Sequence, residues 1–247
     1  MKKILALIIA LGLTGAAVAQ DEPGEKQLGR IEAAGEVLTD IMNAPDNSIP
    51  GDLLGSAKCV AVVPSMVKGG FIFGGAYGRG VASCRTESGW SAPVFIGITG
   101  GSFGLQLGGQ AVDYIMLIMN DRGMNNLLAS KFKLGADSSA AAGPVGRLAE
   151  GSTDWQMRAQ VLTYSRSRGL FAGATLNGAV IKQDSSSTRA FYGKSISFRK
   201  ILKGGVPVPE SAESFVSALA KYGKPTAPAR PPQTPAQSST PSAVSGQ

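Results

Sequence analysis

Histidine is absent from all 247 residues. That absence removes the commonest general base, the usual zinc ligand and every Ser-His-Asp or Cys-His arrangement. Cysteine is nearly absent too, with Cys59 and Cys84 alone. Beyond the N-terminus, no apolar run reaches membrane-span length without a glycine or a charge. There is no basic arm and no run of like charge, which argues against nucleic acid as a partner. The acids Asp113, Asp121, Asp137, Glu150 and Asp154 are scattered through expected turns and element ends, where capping is their ordinary role. Neither a catalytic carboxylate pair nor a metal site is expected.

What is present begins with an export signal. Lys2 and Lys3 precede an apolar stretch over residues 4–13, and Ala17-Val18-Ala19 supplies a small-x-small cleavage site. The reading is a signal peptide over 1–19, a leader over 20–25, a domain over 26–222 and a Pro/Ser/Thr-rich tail over 223–247 that cannot bury enough surface to fold. Its P-x-x-P spacings read as a spacer rather than as a ligand motif. The short signal looks bacterial, so the expected location is the periplasm, peripheral on a membrane. The whole chain carries 24 basic against 17 acidic side chains; without Lys2 and Lys3 the balance is 22 to 17, or +5. In that compartment a moderate positive balance points to an anionic phospholipid surface. An oxidising compartment also suits a disulfide between Cys59 and Cys84. A simple hairpin turning near Val67, however, would set Cys59 against the region of Gly75. The bridge then needs a third element or a longer excursion at 65–69, and otherwise both are small buried hydrophobes.

Periodicity predicts an amphipathic helix through Leu28, Ile31, Ala34, Leu38, Ile41 and Met42, stopped by Pro45, and a short helix over 50–57. Residues 59–119 turn β-branched, aromatic and Gly-rich and read as four to five strands, with a tight turn at Glu87-Ser88-Gly89. A short helix follows over 121–130 with Asp121 as its N-cap. Further strands are expected over 131–135, 160–165 and 170–182, the last with Gly169 at a bend, before a final amphipathic helix over 210–222. Gly70, Gly74, Gly78 and Gly80 share one parity while Phe71, Phe73 and Tyr77 take the other; Gly100, Gly104 and Gly108 repeat the pattern. One face of each strand is thus nearly bare, which weakens a strand unless another backbone comes close. The expected fold class is therefore α+β, a Gly-rich, strongly bent antiparallel β-sheet packed with N-terminal, central and C-terminal helices.

The short catalytic patterns fail on context. Gly100-Gly101-Ser102-Phe103-Gly104 matches G-x-S-x-G but has no histidine to serve it. Ser65-Met66-Val67-Lys68 and Ser197-Phe198-Arg199-Lys200 match S-x-x-K, yet the first reads as a turn after Pro64 and no Lys-Thr-Gly element accompanies them. No glycine loop has a nucleotide-binding spacing, so no cofactor is expected. The basic residues set among apolar or small neighbours remain: Lys58, Lys68, Arg79, Lys131, Lys133, Arg147, Arg158, Arg166 and Arg168. Arg166 and Arg168 end a predicted strand, where guanidinium groups suit phosphate.

The segments AKCVAVVPSMVKGGFIFGGAYGRGV, GWSAPVFIGITGGSFGLQLGGQAVDYIMLIMN, KFKLGADSSAAAGPVGR and YSRSRGLFAGATLNGAVI resemble the SYLF domain family over roughly 26–222. The resemblance implies a compact α+β domain with a Gly-rich antiparallel sheet. It also implies phospholipid binding through basic residues and an amphipathic N-terminal helix. Eukaryotic relatives carry SH3 or FYVE modules and bind actin filaments. This chain has neither module and a bacterial-type signal, which argues against actin and for bacterial anionic lipids. The competing expectation is a structural protein that forms homo-oligomers through its Gly-rich sheet.

Overall fold

The structure is a computed structural model that describes residues 24–44, 48–70, 73–103, 110–135, 140–145, 159–167, 170–174, 176 and 178–224. Two helices come first, α1 (Glu25–Met42) and α2 (Gly51–Ser56). Five strands follow: β1 (Cys59–Gly70), β2 (Phe73–Thr86), β3 (Gly89–Trp90), β4 (Val94–Phe103) and β5 (Gln110–Ile118). After helix α3 (Asp121–Leu127) come β6 (Lys131–Lys133), β7 (Ala140–Ala142), β8 (Val161–Ser167), β9 (Leu170–Gly173) and β10 (Val180–Gln183). The described chain closes with α4 (Ser185–Tyr192), α5 (Phe198–Leu202) and, after a 3-10 turn, α6 (Glu213–Tyr222). The main path of the sheet is β6-β10-β4-β2-β1-β5-β8-β7, with β3 paired to β2 and β9 to β8. It is strongly curled, and only β7 with β8 is parallel. This is the α+β architecture that the composition predicts.

Alternation divides the strand side chains between two cores. On one face, Val60, Val62, Val81, Phe95, Ile115, Leu117 and Tyr164 pack beneath α1, α2 and α6. On the other, Ala61, Val63, Met66, Ile96, Ile98, Tyr114 and Met116 meet Leu127 of α3 and Phe198, Ile201 and Leu202 of α5. Helix α1 takes its place because Ile31, Ala34, Leu38 and Ile41 recur on one side and are 0–1% exposed. Burying each large aliphatic side chain contributes roughly 1.5–3 kcal/mol. The apolar stripe of α1 therefore packs into the core on the sheet.

The bare faces of the glycine strands have a physical purpose. A Cβ on Gly80 would lie 2.2 Å from the Val62 carbonyl oxygen, and one on Gly78 would lie 2.6 Å from Val63 Cγ1. Here β1 breaks register between Val62 and Val67, and Ser65 adopts a left-handed φ of 49°. This bulge bends the strand onto β2, where only glycine leaves room for it.

Several local expectations are corrected. Strand β1 runs through Ser65–Lys68 rather than turning there, and continues to Gly70, which pairs with Gly74. With the reversal that late, Cys59 lies opposite Cys84, and their sulfurs are bonded at 2.03 Å. The Cys84 N–H and C=O both bond Ser91 on the outer side, so the two cysteines form the closely spaced kind of cross-strand pair, at Cα–Cα 3.9 Å. Helix α3 is capped by Asn120, whose Oδ1 accepts the Gly123 N–H, and not by Asp121. The strand expected over 170–182 is two strands, β9 and β10. Helices α4 and α5 fall where periodicity predicts no helix. Residues 1–23 and 225–247, Arg147, Arg158, Arg168 and Gly169 lie outside the described residues. Among the described residues, no helix is long and apolar enough to cross a membrane.

Candidate functional site

Directly opposed residues in an antiparallel pair point to the same side of the sheet. Following the register across strands therefore shows which distant residues share a surface. Lys131 lies opposite Lys182, Lys182 opposite Gly97, and Gly97 opposite Arg79. The next row runs Lys133, Val180, Thr99, Tyr77, Val67 and Ala111. Both rows occupy the face on which α1 packs, but toward the glycine-rich ends of the strands. Lys131, Lys133, Lys182, Arg79 and Ala111 are exposed there. Val67 and Tyr77, cross-strand partners, are 55% and 50% exposed. A cationic row thus runs beside an exposed aromatic–aliphatic pair.

Helix α1 borders this face. The Arg30 guanidinium is half-buried 5.5 Å from the Phe95 ring centroid, 3.8 Å from Asp184 Oδ2, and donates to the Ser187 hydroxyl. Arg79 donates Nε–H to the Tyr77 hydroxyl, which holds its charge beside the ring. Asp184 is the carboxylate placed among these cations. Burial alone would raise its pKa, but the Ser187 N–H, the Ser186 and Ser187 hydroxyls and the nearby Arg79 carry it below the ordinary carboxylate value. It stays ionised, caps α4 through the Ser187 N–H, and offsets part of the positive field.

Other predicted cations go elsewhere. Arg166, opposite Asp113, binds that carboxylate at 3.0 Å and reaches across to Asp40 of α1 at 2.7 Å. Asp113 also accepts the Ser65 N–H of the bulge at 2.9 Å. This network ties the β1 bulge, β5, β8 and α1 together, so Arg166 is a strut between elements. Arg166→Ala is expected to lower the unfolding free energy by about 1–2 kcal/mol, limited by the partial solvation of the guanidinium. Urea denaturation measures this, and an unchanged midpoint would refute the strut role. Lys68 points to the opposite face, where its ammonium donates to the Tyr114 hydroxyl and lies 4.8 Å from that ring. Lys58 pairs with Asp121 at 3.5 Å at the far end of β1.

Three predicted residues, Arg79, Lys131 and Lys133, are therefore gathered on one face, and Lys182 joins them. The alternation Val180-Ile181-Lys182 is the signal that would have found it, since Ile181 is buried and its neighbours point the other way. Among the described residues, no group of three or more His, Cys, Asp or Glu side chains is placed to hold a metal ion.

A curled α+β sheet, strapped by an amphipathic helix on one side and presenting a cationic face beside it, defines the class of this domain. Residues 99–222, about half of the chain, match the family model described as Ysc84, Las17-binding protein actin regulator. The chain belongs to that family, as its resemblance to SYLF domains implies. It is 36% identical over 182 residues to the SH3 domain-containing YSC84-like protein 1 of Rattus norvegicus, covering 73% of this chain and 53% of the relative. The Homo sapiens protein of the same name is 35% identical over the same length and shares. Protein YSC84 of Saccharomyces cerevisiae is 34% identical over 180 residues, 70% of this chain and 38% of the relative. The chain spans about half the length, or less, of these relatives.

Proposed function

We propose that this protein is a non-enzymatic, peripheral phospholipid-binding protein of the bacterial cell envelope. The observation that carries this reading is the row Lys131–Lys182–Arg79 running beside exposed Tyr77 and Val67 on the part of the sheet that α1 leaves open. Lysine and arginine near an anionic membrane contribute about 1 kcal/mol each. A tyrosine beside them has the amphipathic character suited to the headgroup level. Insertion of α1 is no part of this reading, because its apolar side is core. Actin regulation, which the family description carries, is set aside because residues 1–19 read as a bacterial-type export signal. The same signal places the protein in the periplasm on this reading.

Co-sedimentation with liposomes of graded anionic content tests the proposal. Binding should rise with the anionic fraction and weaken as salt goes from low to physiological, where the screening length falls to about 8 Å. No binding to any composition would sink it. A salt-independent oligomer in the same experiment would instead favour a structural protein assembled through the sheet.

A further inference from the structure

We propose that α5 and the loops flanking it carry a second anion site, on the side of the sheet away from the Lys131–Lys182–Arg79 row, that takes a phosphate-ester group. A cavity of about 360 Å³ opens here, rimmed by Lys194, Ser195, Ser197 and Lys200 and floored by Ile196 and Val206. That volume is at the lower end of the roughly 300–1,000 Å³ of small-molecule sites, so the ligand is small. The floor residues pack against the core on the α5 side of the sheet, away from the α1 face.

The chain is shaped to make this cavity. Gly204 turns the backbone in the left-handed region at φ 81°, and the Gly205 N–H returns to the Lys200 carbonyl at 2.9 Å. A Cβ on Gly205 would lie 2.9 Å from both Lys200 Cγ and that carbonyl oxygen. Only a glycine lets residues 205–207 close one wall against the Lys200 stem. The segment that forms it carries charge of one sign. Arg189, Lys194, Arg199, Lys200 and Lys203 are exposed, and no acid occurs between Asp184 and Glu210.

Two ammonium groups with two hydroxyls suit a compact anion with several acceptor oxygens, as lysines bind phosphate as point charges. The apolar floor suits the carbon part of an ester. Such a group can come from a soluble phosphate ester or from a lipid headgroup of a second surface. In the second case the protein is bivalent, because the two cationic sites lie on opposite sides of the sheet.

The test uses the whole chain and its K194A/K200A variant, both substitutions at exposed positions. Amide resonances are followed while inorganic phosphate or glycerol 3-phosphate is added, and clustering of phosphatidylglycerol vesicles is followed by light scattering. Saturable shifts at Ser195, Ser197 and Gly205, weakened at least tenfold in the variant, establish a soluble source. Vesicle clustering that the variant loses while it still sediments with vesicles establishes a lipid source. If phosphate moves no pocket resonance and the variant clusters vesicles like the parent, the site is overturned. Sedimentation of the parent protein reads the sheet-face proposal separately, so either reading can fail alone.

Discussion

Replacing Lys131, Lys133 and Lys182 together by alanine is expected to weaken binding to anionic vesicles on the order of a hundredfold. Each cation near an anionic surface contributes about 1 kcal/mol, and each ~1.4 kcal/mol is tenfold in affinity. The three side chains project from two adjacent strands to one side, opposite the buried Phe132 and Ile181. Their removal therefore leaves the core intact, and stability should change by less than about 0.5 kcal/mol. The loss should be largest at low salt and shrink as salt rises, because the deleted interactions are the screened ones. Lys58→Ala is the matching control, since that ammonium lies at the far end of β1 beside Asp121. Equal affinity of the triple variant and the parent would show that the membrane contact is not on this face.

Removing the Cys59–Cys84 bridge by the double substitution C59A/C84A is expected to lower the unfolding free energy by between about 3 and 4 kcal/mol. The bridge closes a loop with a sequence separation of 25, and loop-closure entropy for that length gives this magnitude. Both residues are fully buried at one end of the long β1–β2 hairpin, whose opposite end is glycine-rich. In the unfolded chain the bridge holds those ends together; without it the ends separate and folding must restore the pairing. Urea unfolding followed by circular dichroism measures the difference. A loss below about 1 kcal/mol would mean that the pair acts as little more than two small buried hydrophobes.

The bridge also shows where reading a sequence stops. Two cysteines behind an expected export signal suggest a pairing, but its geometry depends on where the hairpin reverses. Gly69-Gly70 and Gly74-Gly75 offer two reversal points of similar character, and a one-residue bulge at 63–66 changes the register of everything beyond it. Local propensity has no access to that choice, because the bulge is held by the Asp113 carboxylate, 48 residues from Ser65. The unexpected helix α4 has a similar cause. Residues 185–188 are Ser-Ser-Ser-Thr, poor helix formers. Asp184 capping α4, Phe191 meeting the Phe95 ring at 5.5 Å, and Thr188 accepting the Phe95 N–H supply what propensity does not.

Arg166 illustrates the same limit for function. Its place at a strand end among small residues suggested a phosphate contact, whereas the fold sets it between Asp40 and Asp113, 126 and 53 residues away. A charge is available to a ligand only where its neighbours leave it so, and those neighbours come from other parts of the chain.

The α+β class, the amphipathic α1 and α6, the glycine-paved strands and the family are legible in the residues alone, because periodicity and parity are properties of neighbouring residues. Which cations share a surface is a property of the folded sheet. Lys131, Lys182 and Arg79 come from three strands far apart in the chain and meet because antiparallel register puts opposed residues on one side of the sheet. That register is set by bulges, late turns and packing between distant elements, whose energies no local window contains.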